Sequence, residues 1–293
     1  MAGDIAERDT LNRLMAEVRP RLHRYCARMV GSVFEGEDIV QEALAKAAEA
    51  LPSAATIHKA ESWLFAIAHN TALDALRRRK RLAEVALEAD STDLPYEAAA
   101  PDSWVAATAS LATIMQLPVI QRSTVVLMDV LEYSLAETAE ILGTTLPAVK
   151  AALHRGRVRL KAFSAAGESG QPELDEREQA RLRSYADRFN ARDFDALRDL
   201  LAEDVKLDLV NRLRLAGRKD VSVYFSRYSG TTDWKLTPGL AEGHPALLIS
   251  NPADPADTVD YVILLEWTNG QIRGIRDFRF AKYITDGLTV ARL

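Results

Sequence analysis

The sequence has very little cysteine and no long apolar run. Cys26 is the single cysteine among 293 residues, which excludes an internal disulfide and a cysteine-rich zinc site. The expected role of Cys26 is that of a small buried apolar residue. No apolar run approaches membrane-spanning length, and no charged-then-apolar leader is recognisable. We therefore expect a cytoplasmic protein with no membrane partner, no metal and no cofactor.

The sequence also lacks an excess of positive charge. The formal net charge is −5, which argues against a surface that is uniformly basic and covered by nucleic acid. Any binding of DNA must then come from local basic patches. The apolar fraction of 48% and the charged fraction of 27% are ordinary for globular protein, and the length allows two or three domains.

Residues 132–161 have the pattern of a helix-turn-helix. Leu135, Ala139 and Leu142 give the first helix an apolar stripe. Gly143 then interrupts the helical pattern at the point where the two helices of such a motif cross closely. This pairing of helices is typical of proteins that insert the second helix into the major groove of DNA.

The second helix of this motif combines an apolar face with a basic face. Its apolar positions are Val149, Leu153 and Leu160, and no acidic residue occurs between Ile141 and Gly167. Such a helix suits a groove lined by phosphates, although a solvated surface helix has the same pattern. The basic positions, expected to point largely outward, are Lys150, His154, Arg155, Arg157, Arg159 and Lys161.

A second basic segment runs from Ser62 to Arg81. It opens with aromatic residues and closes with five consecutive basic residues at 77–81. Aromatic rings beside a basic strip suit the stacking of exposed bases together with neutralisation of phosphates. Taken singly, Trp63 and Phe65 fit better as core residues of a packed helix.

Composition changes along the chain predict a multidomain protein with two helical parts followed by an α+β part. Glycine, proline and serine mark the linkers, and the first linker is acidic. The predicted segments are a helical part 9–82, an acidic linker 83–104, a helical part 105–165, a linker 166–174 and an α+β part 175–293.

The last segment begins as helix and continues as strand. Residues 175–202 predict a long and a short helix separated at 190–193, and Asn269-Gly270 is a hairpin signal. Helices followed by a run of antiparallel strands are typical of an α+β domain. Strand-like runs occur at 205–210, 234–240, 246–250, 259–267 and 271–283, with a short helix at 220–228.

The order of these motifs resembles that of bacterial sigma factors. Residues 37–44 are followed by the Trp63–Arg81 segment, the acidic linker and the helix-turn-helix. The resemblance covers about residues 10–165 and is to the extracytoplasmic-function (ECF) type, which carries sigma regions 2 and 4. It implies two all-α domains and no enzymatic activity in them. The implied partners are core RNA polymerase and promoter DNA.

The resemblance also implies roles for individual residues. Region 2 would bind the polymerase clamp and the minus-ten element, and region 4 the minus-thirty-five element. The acidic linker would run through the nucleic-acid channel of the polymerase, or serve only as a spacer. The implied residues are Asp38, Gln41 and Glu42 for polymerase, Trp63, Asn70, Asp74, Arg77, Arg78 and Arg79 for minus-ten DNA, and Lys150, His154, Arg155 and Arg157 for minus-thirty-five DNA.

The segment after the second linker departs from the two-region pattern. Residues 185–205 resemble the opening of SnoaL-like domains, an α+β cone that encloses a pocket. Asp208 would be the candidate base of a pocket enzyme such as a ketosteroid isomerase. Its position is one residue away from that of the catalytic aspartate of the isomerase, which would turn its side chain to the opposite face of the sheet. Possible pocket residues are Tyr185, Asp208, Tyr224, Trp234, Tyr261, Trp267 and Asp277, each of which also fits as a packing residue.

Three functions follow from these patterns. The first is a sigma factor whose C-terminal domain regulates it in cis, with a possible unknown small-molecule ligand in the pocket. The second is a pocket enzyme in the C-terminal domain. The third is a helix-turn-helix regulator that binds DNA without polymerase, which does not account for residues 37–44 or for the Trp63–Arg81 segment.

Overall fold

The chain forms two compact units, Met1–Glu168 and Ser169–Leu293. The computed structural model describes residues 2–50, 59–86, 110–164, 174–255 and 258–293. The predicted acidic linker begins inside the third helix and otherwise lies outside these residues, as does the linker 166–174 except for its last residue. Among the described helices, none combines the length and the hydropathy needed to cross a membrane.

The described part of the N-terminal unit is helical, as predicted. A π-helical turn, Val126–Val130, continues the fifth helix directly. The helices are α1 Ala2–Val30, α2 Val33–Ala50, α3 Ala60–Ala86, α4 Leu111–Met115, α5 Val119–Val125, α6 Leu135–Ile141 and α7 Leu146–Ser164.

Helices α1 and α2 pack closely because α2 has a glycine, Gly36, where it faces α1. A Cβ atom on Gly36 would lie 2.6 Å from the backbone nitrogen of Ala27, so no larger residue fits without a shift. Cys26, on the same part of α1, is fully buried as predicted. The first three helices therefore form a bundle whose apolar faces meet with little space between them.

Helices α6 and α7 form the predicted helix-turn-helix. Ser134 and Glu137 make a capping box that starts α6, and Gly143 adopts a φ of +60° in the turn. The Thr145 hydroxyl then accepts a hydrogen bond from the backbone nitrogen of Ala148 at 3.4 Å and caps α7. Local capping thus fixes where each helix begins.

The C-terminal unit is an α+β domain, as predicted. Its seven strands form one sheet in the order β2-β1-β6-β5-β4-β3-β7. The elements are α8 Glu176–Asn190, α9 Phe194–Asp199, β1 Leu201–Leu209, β2 Leu213–Ala216, α10 Arg218–Ser229, β3 Lys235–Ala241, β4 His244–Ser250, β5 Tyr261–Thr268, β6 Gln271–Asp277, a 3-10 turn Lys282–Thr285 and β7 Val290–Arg292.

The predicted hairpin at Asn269-Gly270 joins β5 to β6. Both residues have positive φ angles, +52° and +81°, as a tight turn between twisted strands requires. Strands β1 and β6 pair in parallel, however, whereas the sequence predicted an antiparallel run. The prediction was wrong there because period-2 patterning reports which face is buried and not which strands pair.

The last predicted strand is too long. Strand β6 ends at Asp277, and the chain then turns through Phe278 into the 3-10 turn instead of continuing to Tyr283. Phe278 and Ile284 are both fully buried. Burial of apolar side chains on both sides of a turn produces a strand-like sequence pattern without a strand.

Candidate polymerase and promoter interfaces

Helix α2 presents an acidic and polar face to solvent. Asp38 is exposed, and Gln41 and Glu42 are half-buried. Their spacing of three and four residues places them on one side of the helix. Glu37 belongs to the same motif but is fully buried, where it accepts a hydrogen bond from Arg19 at 2.5 Å. Its role is to hold α2 against α1.

Glu42 is already engaged within region 2. Lys46 lies 2.8 Å from one carboxylate oxygen and Arg78 lies 3.4 Å from the other. The hydrogen bond from Lys46, followed by the charges of both cations, lowers the pKa of the Glu42 carboxyl. A polymerase surface that takes up Glu42 must compete with these two cations.

Helix α3 carries an exposed polar stripe. Asn70, Asp74, Arg77 and Arg78 are all exposed, and their spacing of four and three residues places them on one face. Asp74 and Arg77 form an ion pair at 3.1 Å. Trp63 lies two turns earlier on the same face, half-buried against the core. The structure thus brings five of the six residues predicted for minus-ten DNA onto one strip.

Arg79 does not belong to this strip. It points to the other side of α3, where it donates a hydrogen bond to the carbonyl of Val30 at 3.1 Å and pairs with Glu35. The pattern of five consecutive basic residues hides this difference, because neighbouring positions on a helix face directions about 100° apart. Arg79 joins the ends of α1 and α3.

A buried histidine, which sequence reasoning missed, supports the strip from inside. The Nδ1 atom of His69 lies 2.7 Å from the hydroxyl of Tyr25. Burial, together with the charge of Arg77, lowers the pKa of His69 to about 4. The imidazole is therefore neutral at physiological pH and fixes α3 against α1.

Helix α7 separates its faces as predicted. Val149, Leu153 and Leu160 are buried. The basic positions of the helix differ in how far their side chains are exposed. A Cβ atom on Gly156 would lie 2.7 Å from a methyl group of Val125, which explains the close packing of α7 on α5. The exposed basic side chains are Lys150, His154, Arg155 and Lys161.

Arg157 is an exception to the expected outward direction. Its Nε and Nη2 atoms donate hydrogen bonds to the two carboxylate oxygens of Asp129 at 2.9 and 2.6 Å. The Asp129 side chain is only 1% exposed, and that of Arg157 is 28% exposed. This bidentate pair holds α7 to the π-helical turn. A lone acid in the apolar run 125–131 is the sequence signal that points to it.

The C-terminal unit buries a carboxylate among phenols. Asp277 is fully buried, and its Oδ2 atom accepts hydrogen bonds from Tyr224 at 2.8 Å and Tyr228 at 2.6 Å. Its Oδ1 atom accepts one from the backbone nitrogen of Arg279 at 2.8 Å. Burial raises the pKa of Asp277 despite these donors. The Tyr261 hydroxyl lies 3.3 Å from that of Tyr228.

This buried cluster, Asp277 with Tyr224, Tyr228 and Tyr261, contains three of the predicted pocket residues. Sequence reasoning missed Tyr228, which lies one helical turn after Tyr224 on α10. Tyr185 is also fully buried, and the charge of Asp277 contributes to the rise of its pKa after burial itself.

Trp234 and Trp267 take part in packing, and the Trp234 ring meets that of Tyr228 edge-on with ring centroids 5.7 Å apart. Trp234 stacks edge-on against Phe189 with ring centroids 5.1 Å apart, and its indole nitrogen donates to the Thr231 hydroxyl at 3.0 Å. Trp267 is half-buried beyond a register shift that follows Glu266. Both residues fit the packing interpretation.

Asp208 lies on the opposite side of the sheet from the buried cluster. Its neighbours Leu207 and Leu209 are buried, and Leu209 is the register partner of Asp277. Asp208 itself pairs with Arg214 at 3.2 Å. Asp208 therefore faces away from the buried cluster.

Family models match both parts of the N-terminal unit. The model for sigma-70 region 2 matches residues 14–82, and the model for sigma-70 region 4 matches residues 110–160. Neither of these two matches extends into the C-terminal unit.

Curated relatives of this chain are named as ECF RNA polymerase sigma factors. The chain is 32% identical over 154 residues to the ECF RNA polymerase sigma factor SigW of Bacillus subtilis (strain 168), which covers 49% of this chain and 82% of that protein. It is 32% identical over 213 residues to the ECF RNA polymerase sigma factor SigG of Mycobacterium tuberculosis (strain CDC 1551 / Oshkosh), which covers 64% of this chain. The chain spans only 57% of SigG.

Two solved structures overlap this chain at low sequence identity. The crystal structure of the Mycobacterium tuberculosis extracytoplasmic function sigma factor SigJ covers 91% of this chain and 95% of its own, at 20% identity and a TM-score of 0.36. A putative polyketide cyclase from Xanthomonas campestris pv. campestris covers 38% of this chain and 98% of its own, at 20% identity and a TM-score of 0.27. Because it is 32% identical to SigW and covers 82% of that protein, this chain belongs to the ECF RNA polymerase sigma factors.

Proposed function

We propose that this protein is a promoter-specificity subunit of RNA polymerase. The observation that carries the proposal is that one compact unit presents two separate polar and basic surfaces, which we assign to DNA. These are the α3 strip, defined as Trp63, Asn70, Asp74, Arg77 and Arg78, and the exposed basic face of α7. A regulator that only binds an operator needs the second surface and not the first.

The two DNA surfaces suit different tasks. The α3 strip joins an aromatic side chain to amide and guanidinium groups, which fits bases taken out of the duplex as well as phosphates. The α7 face offers Lys150, His154 and Arg155 to a major groove. We assign the α3 strip to the minus-ten element and the α7 face to the minus-thirty-five element.

The α2 face is the proposed docking surface for core polymerase. Asp38, Gln41 and Glu42 offer carboxylate and amide groups to a basic partner surface. Charged groups of this kind fix orientation and raise the rate of association more than they raise affinity. The protein would act in the cytoplasm, where polymerase and promoters meet, and its sigma regions would perform no reaction of their own.

Binding to purified core polymerase tests the docking proposal. We expect Asp38→Lys to weaken binding at low salt, because it reverses an exposed charge on the docking face. Glu17→Lys is the matched control, since Glu17 is an exposed acid on α1 outside that face. Equal binding by the two variants would contradict the proposed surface, and failure of the unaltered protein to bind would favour the operator-binding regulator.

We also propose that the C-terminal unit regulates sigma activity in cis. It is a compact unit of its own, and its attachment to the same chain gives it a high effective concentration for the sigma regions. A small molecule bound there would act only through different affinities for two states of the protein. Deletion of residues 167–293 should change transcription from a target promoter, and unchanged transcription would contradict regulation in cis.

A pocket enzyme is the second candidate for the C-terminal unit. It is supported by the buried Asp277, whose pKa is raised, and by the phenols around it. It loses its expected base, because Asp208 is on the other face of the sheet. Regulation in cis is the better supported of the two.

A further inference from the structure

The first two turns of α7 are apolar where they meet solvent. Lys150 is the only residue with a polar side chain among residues 146–152. Leu146, Pro147 and Ala151 are all exposed, and Leu146 is 45% exposed although it is a large apolar residue. The side of the helix that we assign to promoter DNA therefore starts with carbon groups rather than with hydrogen-bonding groups.

Ala151 faces directly away from the core of the N-terminal unit. It lies between Val149 and Leu153 in the sequence, two positions from each, and both of these residues are buried. Consecutive residues of an α-helix point about 100° apart, so Ala151 points about 160° away from each of them. Pro147 lies one turn before Ala151 on the same side. These two residues form the apolar line of α7, which is the part of the helix that reaches deepest into a groove.

Basic side chains stand on both sides of the apolar line. Lys150 and His154 lie on one side of it and Arg155 on the other, and all three are exposed. The helix contains no acidic residue that would weaken their attraction to DNA. Phosphates border a groove on both of its edges, and contacts to them fix the orientation of a helix without reading the sequence. The two basic flanks therefore suit the phosphates, and the apolar line between them faces the edges of the bases.

Local structure fixes the position of the first turn. The hydroxyl of Thr145 accepts a hydrogen bond from the backbone nitrogen of Ala148 at 3.4 Å, and Val149 is only 1% exposed. Pro147 stands in the first turn, where the lack of an N–H group costs no hydrogen bond, and its ring fixes the backbone φ angle. The apolar line is therefore held in place before DNA arrives, and binding does not have to order it.

Thymine is the only one of the four bases that offers a methyl group in the major groove. The edges of the other bases present mainly hydrogen-bond donors and acceptors there. Alanine and proline side chains cannot pair with such groups, so a guanine edge placed against them loses its water without compensation. The C5-methyl group of thymine in the same place is favourably removed from water. The chemistry of the apolar line therefore selects thymine.

We propose that Ala151 and Pro147 determine promoter specificity by packing against the C5-methyl group of a thymine in the minus-thirty-five element. The inference rests on the proposed function. Lys150, His154 and Arg155 hold the helix in the groove, and the apolar line reads the methyl group. Thymine and uracil carry the same hydrogen-bonding groups and differ only in this methyl group. Reading by hydrogen bonds alone predicts equal binding of the two bases, whereas reading by the apolar line predicts a preference for thymine.

Deoxyuridine in place of single thymines tests the inference with the unaltered protein. Core polymerase and the full-length protein are combined on a promoter found by start-site mapping, and each thymine of the minus-thirty-five element is replaced in turn. We expect binding to weaken about fourfold at one or more of these positions, since one buried methyl group is lost, and to stay unchanged for thymines between the two elements. An element without thymine on either strand, or equal binding at every position, would overturn the inference and leave the proposed function standing.

Ala151→Gly, with Ala162→Gly as its matched control, tests which residue contacts the methyl group. Both substitutions remove a methyl group from an exposed alanine of α7, and Ala162 lies near the end of the helix, away from the apolar line. The ratio of binding to thymine and deoxyuridine DNA should fall to about twofold or less in Ala151→Gly and stay about fourfold in Ala162→Gly. Equal ratios in the two variants would overturn the inference. Failure of the unaltered protein to direct initiation at any promoter would overturn the proposed function and the inference together.

Discussion

The two units of this protein place their charged groups in opposite ways. In the N-terminal unit most of the predicted functional residues are exposed and form surface ion pairs such as that of Asp74 with Arg77, and Arg157, which pairs with the buried Asp129, is the exception. In the C-terminal unit the conspicuous polar group, Asp277, is fully buried among phenols. Surface pairs contribute little to stability, whereas a buried carboxylate is sensitive to the loss of any partner. Substitution of the exposed residues of the first unit should therefore change binding, and substitution of Asp277 should change folding.

The largest effect is expected for Asp277→Ala in the C-terminal unit. It leaves the hydroxyls of Tyr224 and Tyr228 without their shared acceptor and creates a cavity, which should lower the free energy of unfolding of this unit by about 3–5 kcal/mol. Denaturant titration of the full chain, followed by the fluorescence of its four tryptophans, of which Trp234 and Trp267 lie in this unit, measures it. Asp277→Asn keeps an acceptor and should lose less. Equal stability of Asp277→Ala and the unaltered protein would show that the buried cluster is not stabilising.

The two units should respond to pH in opposite directions. The pKa of His69 in the N-terminal unit is lowered from 6.5 to about 4 by burial, so the unfolded state binds its proton first. The free energy of unfolding of that unit should fall as pH drops from 6.5 towards 4, by about 3 kcal/mol once the pH is below both values. His69→Gln should remove this dependence. A pH profile unchanged by that substitution would contradict the buried neutral histidine.

The pKa of Asp277 shifts the other way. Its pKa is raised above the ordinary 3.8 by burial, so the folded state keeps a proton that the unfolded state has already released. The free energy of unfolding of the C-terminal unit should fall as pH rises from 3.8 to the raised value, and should level out above it. Comparison of the unaltered protein with Asp277→Asn isolates this contribution. A difference between the two that does not vary with pH would contradict the raised pKa.

Two arginines of α7 should separate binding from stability within one helix. Arg157→Ala leaves Asp129 buried without its bidentate partner and should lower the free energy of unfolding by about 2–3 kcal/mol. Arg155→Ala should leave unfolding unchanged and weaken promoter binding, with a loss of selectivity of about 1–3 kcal/mol if the contact is to a base. Equal weakening on every DNA sequence would instead identify a phosphate contact.

The smallest effect is expected for Asp208→Ala. Asp208 is a half-buried residue that pairs with Arg214, whose side chain is 69% exposed, and lies 3.7 Å from the Nε atom of Arg276. Its removal should change the free energy of unfolding by about 1 kcal/mol or less. It serves as the control for Asp277→Ala in the same sheet. A loss as large as that of Asp277→Ala would remove the contrast between the half-buried and the fully buried carboxylate.

Patterning along single elements made much of the fold predictable. The helix-turn-helix, the helices of the C-terminal unit and the hairpin at Asn269-Gly270 all follow from local periodicity, capping and turn chemistry. The parallel pairing of β1 with β6 does not, because nothing in either strand specifies a partner distant in sequence. Strands β2 and β7 were missed since four and three residues are too short to show a period.

In the candidate site, too, features set by local pattern are predictable and features set by contacts between distant elements are not. Exposure of Asn70, Asp74 and Lys150 follows from helix periodicity, so those predictions of direction are met. Arg79 and Arg157 turn towards Val30 and Asp129, which lie on other elements and are distant in sequence. Contacts between elements decide the direction of a long flexible side chain.

Start-site mapping with purified components tests the central claim most directly. Core polymerase, a pool of promoter fragments and the full-length protein are combined, and the 5′ ends of the transcripts are sequenced. We predict transcripts that begin at defined positions downstream of a shared pair of elements only when both polymerase and this protein are present. Specific binding to the fragments without polymerase, together with no effect on where transcription begins, would contradict the account.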